Sequence, residues 1–293
     1  MEVAFGAWNV IADLNNEGKD DVWGMMEEVT SDIRWAKITA DILDFLVNQK
    51  GYTCIKWFVN SNEPNYTGTK GSSKNYNNTY AKWEKGVKNV RAALDKVGLT
   101  NIGIVGGDTT GFEGTNEYLT NIARRIPDQV GDYGCHLYMS NRLVDRGQML
   151  EQVSDIYSVI KQLDPDLGVV KQANICEAGL VDGKTDDDRQ SLIRTSEYAV
   201  RMADYTIQCI AGGINGIVYW DFDDAMHFMY GENVTPKEWG MFSSLSGASS
   251  GMQELRPWYH SSCLLTHMFK RGNRIYAPLQ NYKNGKTILP LEV

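Results

Sequence analysis

Short apolar runs alternate along this chain with longer segments in which apolar residues recur every three or four positions. The runs cover residues 3–8, 54–60, 102–105, 133–138, 169–176 and 214–220. Between them Trp35, Ile38, Ile42 and Phe45 fall at helical spacing, as do Trp83, Val87, Val90 and Leu94. Leu150, Val153, Tyr157 and Ile160 repeat the pattern, and so do Val200, Ala203, Ile207 and Ile210. An apolar run of this length reads as a buried strand and the three-to-four spacing as an amphipathic helix. Strand and helix in alternation predict βαβ units and a parallel sheet, an α/β fold.

The strand ends fall near residues 63, 107, 138, 177 and 221, a spacing that suits a (β/α)8 barrel of the TIM type. The rival is a doubly wound open sheet, which usually opens with a Gly-x-Gly-x-x-Gly turn, and none is present. Gly106-Gly107-Asp108-Thr109-Thr110-Gly111 is glycine-rich but lacks the lysine of a phosphate loop, and reads as a flexible βα loop. Six strands are legible rather than eight in the barrel expected over residues 1–272: either two are hidden in the low-complexity stretches, or the chain begins inside the barrel, without its first one or two βα units. Residues 273–293, with Arg274-Ile275-Tyr276 and Thr287-Ile288-Leu289-Pro290, read as extended segments and a possible start of a small β module.

Composition narrows the partners. The 293 residues are 42% hydrophobic and 23% charged, and no apolar stretch approaches the ~20 residues of a membrane span. A formal charge of −8 argues against nucleic acid as a partner. Five cysteines, Cys54, Cys135, Cys176, Cys209 and Cys263, form no Cys-x-x-Cys pair, so buried free thiols are expected rather than a zinc or redox site. The first residues lack the basic region and apolar core of a signal peptide. An extracellular or periplasmic location then requires a leader further upstream, and a cytoplasmic one does not.

In a barrel the carboxyl ends of the strands open onto one face, so polar residues there converge whatever their separation in the chain. Here they are Trp8 with Asn9, Asn62-Glu63-Pro64-Asn65, Asp108, His136 with Tyr138, Glu177, and Trp220 with Asp221. Glu63 ends the run Cys54-Ile55-Lys56-Trp57-Phe58-Val59-Asn60-Ser61-Asn62-Glu63 and is followed by Pro64, and Glu177 ends the run Val169-Val170-Lys171-Gln172-Ala173-Asn174-Ile175-Cys176-Glu177. Two carboxyl groups about three βα units apart around an eight-stranded barrel can face each other across its mouth. One can protonate a glycosidic oxygen while the other attacks the anomeric carbon.

Asn62-Glu63-Pro64 resembles the acid/base motif of the clan A glycoside hydrolases, retaining enzymes on a (β/α)8 barrel. Ile175-Cys176-Glu177-Ala178-Gly179 is similar to their nucleophile strand end. His136-Leu137-Tyr138 resembles the His-x-Tyr of strand six, and Tyr219-Trp220-Asp221 the end of strand eight. The resemblance spans roughly residues 3–270 in the family order, which makes the legible strands three to eight. It implies Glu63 as acid/base, Glu177 as nucleophile, and Tyr138 as a hydrogen-bond donor to Glu177. Asn62 would hold the sugar 2-hydroxyl, and Trp220 would underlie the ring. His136 would also bind substrate, and Trp8, Asn9 and His227 are further candidates to line the site. It implies a carbohydrate substrate and neither cofactor nor metal.

Two other readings stand beside it. A carbohydrate-binding barrel without turnover would need no second carboxylate. A metal-dependent barrel hydrolase would draw on His136, His227, Asp221, Asp223 and Asp224, but such barrels bring several histidines to their strand ends. His260 and His267 read as structural residues of a helix over 256–270, and Asp186-Asp187-Asp188 as a solvated helix start.

Overall fold

The computed structural model describes residues 3–6, 30–65, 80–110, 112–186, 188–224, 238–243 and 254–270. In chain order these carry β1 (Val3–Gly6), α1 (Ile33–Asp44), β2 (Ile55–Val59), α2 (Tyr80–Lys96), β3 (Gly103–Thr110) and α3 (Phe112–Arg125). There follow β4 (Asp132–Met139), α4 (Asn141–Asp145), α5 (Gln148–Leu163), β5 (Ala173–Leu180), α6 (Ser196–Ala211) and β6 (Gly216–Tyr219). A short antiparallel pair, β7 (Phe242–Ser243) and β8 (Glu254–Leu255), precedes α7 (Pro257–Met268).

The strand order of the main sheet is β1-β2-β3-β4-β5-β6. The first three pairings are parallel. β5 runs with β4 too, since Tyr133 N–H donates to Gln172 O near one end and Val181 N–H to Met139 O near the other. This order decides between the two architectures. A doubly wound sheet reverses its order at a switch point, whereas a barrel adds each strand beside the last. The fold class is that of a (β/α)8 barrel, with six of its strands among the described residues. The tail of residues 273–293 lies outside them. No helix among the described residues is long and apolar enough to cross a membrane.

The chain forms two compact units, Met1–His136 with Val159–Asn174, and Leu137–Ser158 with Ile175–Val293. In the first, α2 buries the expected stripe of Trp83, Val87, Val90 and Leu94. Each such side chain contributes about 1.5–3 kcal/mol by leaving water. α1 is capped by Asp32, whose carboxylate accepts from Arg34 N–H. Its inward face is Trp35, Ala36, Thr39, Ala40 and Leu43. Phe45, expected on that face, is 46% exposed, because the buried face runs through Ala36, Thr39, Ala40 and Leu43 and a residue two positions beyond Leu43 falls on the opposite side of the helix.

Gly106 and Gly107 correct a second expectation: they lie within β3 rather than in a flexible loop. A Cβ on Gly106 would stand 2.5 Å from Asp132 O, and one on Gly107 would stand 2.7 Å from Gly134 O. The glycines therefore serve close approach to β4 rather than mobility. Val169 and Val170 also depart from expectation. Their N–H groups both bond Asp166 O in a turn, leaving the side chains exposed ahead of β5. Beside that turn Lys171 pairs with the buried Asp164, which also accepts from Tyr133 Oη.

In the second unit, α6 starts at the Thr195 cap and turns Tyr198, Ala199, Met202, Tyr205, Thr206 and Cys209 inward. The expected apolar face was out of phase: Val200 and Ile207 point to solvent. Polar anchors set the rotation instead, as Tyr205 Oη donates to Leu137 O and Gln208 spans Val144 O and Leu150 N–H. Against α6 packs α7, with Trp258 edge-on to both Tyr198 and Tyr219. His260 and His267 are exposed on α7 rather than packed. Asp186 and Asp188 belong to a turn closed by the Lys184–Gln190 bridge, well before α6, and not to a helix start; Asp187 lies outside the described residues. The five thiols are free, but only Cys135 and Cys209 are fully buried, while Cys54 and Cys263 are exposed.

Arg256 and Asp224, both 0% exposed, form a two-point ion pair at 2.8 and 2.5 Å, closed further by Gly240 N–H and Gly240 O. Truncating one partner strands the other charge, so Asp224→Ala should lower unfolding free energy in urea by about 3–5 kcal/mol. Two other buried carboxyls titrate near neutrality. Burial above all pushes Asp132 up to about 7, and burial followed by the nearby Asp224 does the same for Asp221. The folded chain then holds protons that the unfolded chain releases near 3.8. Their stabilisation is full below that pH and is lost as pH rises toward 7. Urea midpoints should fall across pH 4–7, and Asp132→Asn should flatten that slope.

Candidate active site

The Glu63 carboxylate is placed by a turn that the chain would not adopt unaided. Its φ of 43° lies in the left-handed region, unusual for a residue with a side chain and costing on the order of 1–3 kcal/mol. Three contacts hold it. Glu63 N–H donates to Asp108 O at 3.0 Å. Asn65 is fixed to Thr110 twice, Nδ2 donating to Thr110 O and Oδ1 accepting Thr110 N–H, both at 2.8 Å. Tyr118 Oη, on α3, donates to Pro64 O. The segment after β2 is thus tied to the end of β3.

Asp108 sits where the register of β3 against β4 shifts between Gly107 and Thr109, with φ of 54°. Such a bulge redirects one side chain out of the regular alternation. The side chain meets His136 of β4. His136 Nε2 lies 3.0 Å from Asp108 Oδ1, and His136 Nδ1 lies 2.9 Å from Glu63 Oε1. His136 is 1% exposed and Asp108 5%, while the Glu63 side chain keeps 24% of its surface open. In the row Asp108, His136, Glu63 the first two members are buried and only Glu63 reaches solvent. His136, expected against substrate, has both ring nitrogens engaged by carboxylates.

Two residues further along β4, Tyr138 Oη donates to Glu177 Oε2 at 2.9 Å. The Tyr138 ring stands edge-on to Trp239, which is itself anchored by Nε1 donating to Asp188 O. Gly179 makes room for that ring, since a Cβ there would come within 2.8 Å of it. That contact accounts for a glycine two residues after Glu177 within β5. Trp220 follows β6, its N–H donating to Ala178 O, and joins Asp221 through a cis peptide. Asp221 is buried, and neither carboxyl oxygen has a hydrogen-bond partner among the described residues.

Asn62 is half-buried with its side-chain oxygen enclosed and without a partner among the described residues. Trp8, Asn9 and His227 lie outside them. The roles of Asn65 and Trp239 were not apparent in the sequence: a clamp across 45 residues has no periodic signature, and Trp239 stands in a segment with no helical or strand spacing. A cavity of about 650 Å³ opens at the strand starts of the first unit, lined by Lys56, Trp57, Arg91, Asp95 and Asp128, and no candidate residue reaches it.

Neither a protein-family model nor a curated protein matches the chain. Solved structures do. The chain is similar to the bacterial orthologue of human α-L-iduronidase at 13% identity and a TM-score of 0.54, over 82% of this chain and 41% of that one. It is similar to the AHE enzyme of Alicyclobacillus herbarius at 12% identity and 0.51, over 84% and 71%. A glucosidase from Croceicoccus marinus matches at 11% and 0.50, over 72% and 42%. The chain spans less than half the length of several such neighbours. At these identities the likeness is one of fold: the chain has the fold of glycosidase barrels.

Asn65→Ala removes both bonds to Thr110 and leaves the strained turn at Glu63 without its clamp. Unfolding free energy should drop by about 1–2 kcal/mol in urea titrations. Asn65→Asp, which keeps the acceptor, should lose less.

Proposed function

We propose that this chain carries the catalytic barrel of a retaining glycoside hydrolase, with Glu63 as acid/base and Glu177 as nucleophile. The observation that supports it most is on β4: His136 holds Glu63 and Tyr138 holds Glu177, two residues apart on one strand. Alternate positions of a strand share a face, and 136 and 138 are alternate positions of β4, so each carboxyl has its own partner on one side of one element. The two partners suit different tasks. Tyr138 donates a hydrogen bond, which favours the ionised form that a nucleophile needs. His136 can give or take a proton at Glu63, as an acid that later becomes a base requires.

The reaction follows from those roles. Glu63 passes its proton to the glycosidic oxygen as the C1–O bond breaks, while Glu177 forms an ester bond to C1. Water then attacks C1 as Glu63 takes its proton, and the ester bond breaks to free the Glu177 carboxylate. Asn62, next to Glu63 in the chain, holds the sugar 2-hydroxyl, and Trp220 supplies an apolar face for the pyranose. The partner is a carbohydrate, an oligosaccharide or polysaccharide.

Glu177→Gln should abolish turnover of a panel of aryl glycosides, measured by release of the phenol, while leaving circular dichroism unchanged. Glu63→Ala should lower kcat/KM, which reports the steps up to C1–O cleavage, about 10²–10⁴-fold for poor leaving groups and little for 2,4-dinitrophenyl glycosides. Equal losses on both would remove Glu63 from the acid role. The first-formed anomer, read by proton NMR, should keep the substrate's configuration. Inversion would instead require carboxyl groups about 6.5–9.5 Å apart rather than about 5–5.5 Å.

A further inference from the structure

Asp108 contributes nothing to the proposed reaction as written, yet it is buried and in contact with the residue that holds Glu63. Both contacts of His136 have hydrogen-bond length. Each needs one hydrogen, and a carboxylate has none to give. The row Asp108–His136–Glu63 must therefore hold two hydrogens. They can both sit on the imidazole, between two carboxylates. One can instead move across to Glu63, leaving His136 neutral with its remaining N–H on Asp108, or the mirror arrangement can form at Asp108. All three carry a net charge of −1 and differ only by a shift within one hydrogen bond.

We infer that Asp108 and His136 are positioning residues that store the acid's proton for Glu63. This rests on the acid/base role proposed for Glu63. Among the described residues neither Glu63 nor Asp108 has an Arg or Lys in ion-pair contact, so His136 is the group that can take positive charge between them. Asp108 is 5% exposed, and in that setting its charge is poorly screened and strongly favours keeping the second hydrogen. Among the described residues, two further ionisable groups of β4 lie near Asp108. Burial pushes the Cys135 thiol up to about 12, so it stays uncharged, and Asp132 up to about 7. Glu177 is the further carboxylate that the proposed mechanism sets against Glu63. When Glu63 gives its proton to the glycosidic oxygen, the row keeps one hydrogen and a charge of −2. The proton taken from water in the second step restores it. Asp108 thus resists the loss in the first step and favours the recovery in the second.

Asp108→Asn is the decisive variant, because asparagine has the same shape and is among the residues that best tolerate positive φ. The test is proton–nitrogen NMR of the full chain labelled at histidine, without substrate, with His136→Gln identifying the signals. Two hydrogen-bonded protons should be seen in wild type at pH 7, and the second should be lost only well above the ordinary histidine value of about 6.5. In Asp108→Asn that loss should move down by at least one pH unit. A single proton in wild type at pH 7, or a midpoint unmoved by the substitution, overturns the inference, and the wild-type result decides even if the variant does not fold. Kinetics separate the two proposals. The basic limb of kcat/KM for a phenyl glycoside should shift with the NMR midpoint, while a 2,4-dinitrophenyl glycoside keeps its profile. Wild type that cleaves no aryl glycoside yet shows the two protons would sink the enzymatic reading and leave the proton store standing.

Discussion

A histidine enclosed between two carboxylates is the constraint on which the first unit's strand-end architecture turns. His136 cannot be placed by its own strand alone. β3 must bulge at Asp108, and the chain after β2 must adopt a left-handed turn at Glu63, before both carboxylates reach the imidazole. Each distortion is unfavourable by itself. The hydrogen bonds between Glu63 N–H and Asp108 O, and between Asn65 and Thr110, offset that cost by tying the two distorted segments to each other. Close approach of β3 to β4 is a precondition, and the glycines at 106 and 107 supply it.

The second unit solves a parallel problem with different means. Glu177 has a phenol for a partner, and the phenol is immobilised by apolar contact: Trp239 on its edge and the bare backbone of Gly179 beside it. Further from the candidate residues, a buried Arg256–Asp224 pair and the Trp258 aromatic cluster give the unit a rigid interior. One carboxyl is thus held through a chain of titratable groups and the other through a neutral donor in a packed aromatic setting.

Much of this was legible beforehand. Six strands fall where the apolar runs do, and α2 buries the stripe its spacing names. Periodicity reports burial, and burial is what most of these positions experience. It misled where polar anchors outweighed it. On α6 the phase is set by Tyr205 and Gln208 reaching backbone groups, so Val200 and Ile207 face water. On β3 the glycines looked like flexibility because a single chain cannot show the neighbouring strand that they admit.

Glu63 and Glu177 could be singled out from the linear chain because each follows an apolar run, where a charge is costly unless it serves a purpose, although Glu177 lies within β5 rather than at its end. What surrounds them could not. Partners of a buried charge are chosen by three-dimensional proximity: Asp108 lies 45 residues from Glu63 and His136 a further 28 along, with no spacing rule to connect them. Local pattern encodes which side of an element leaves water, so it determined the strands, most helices and the candidate acids. The identity of each hydrogen-bond partner, and with it the difference in character between the two carboxyls, was decided only when the strands came together.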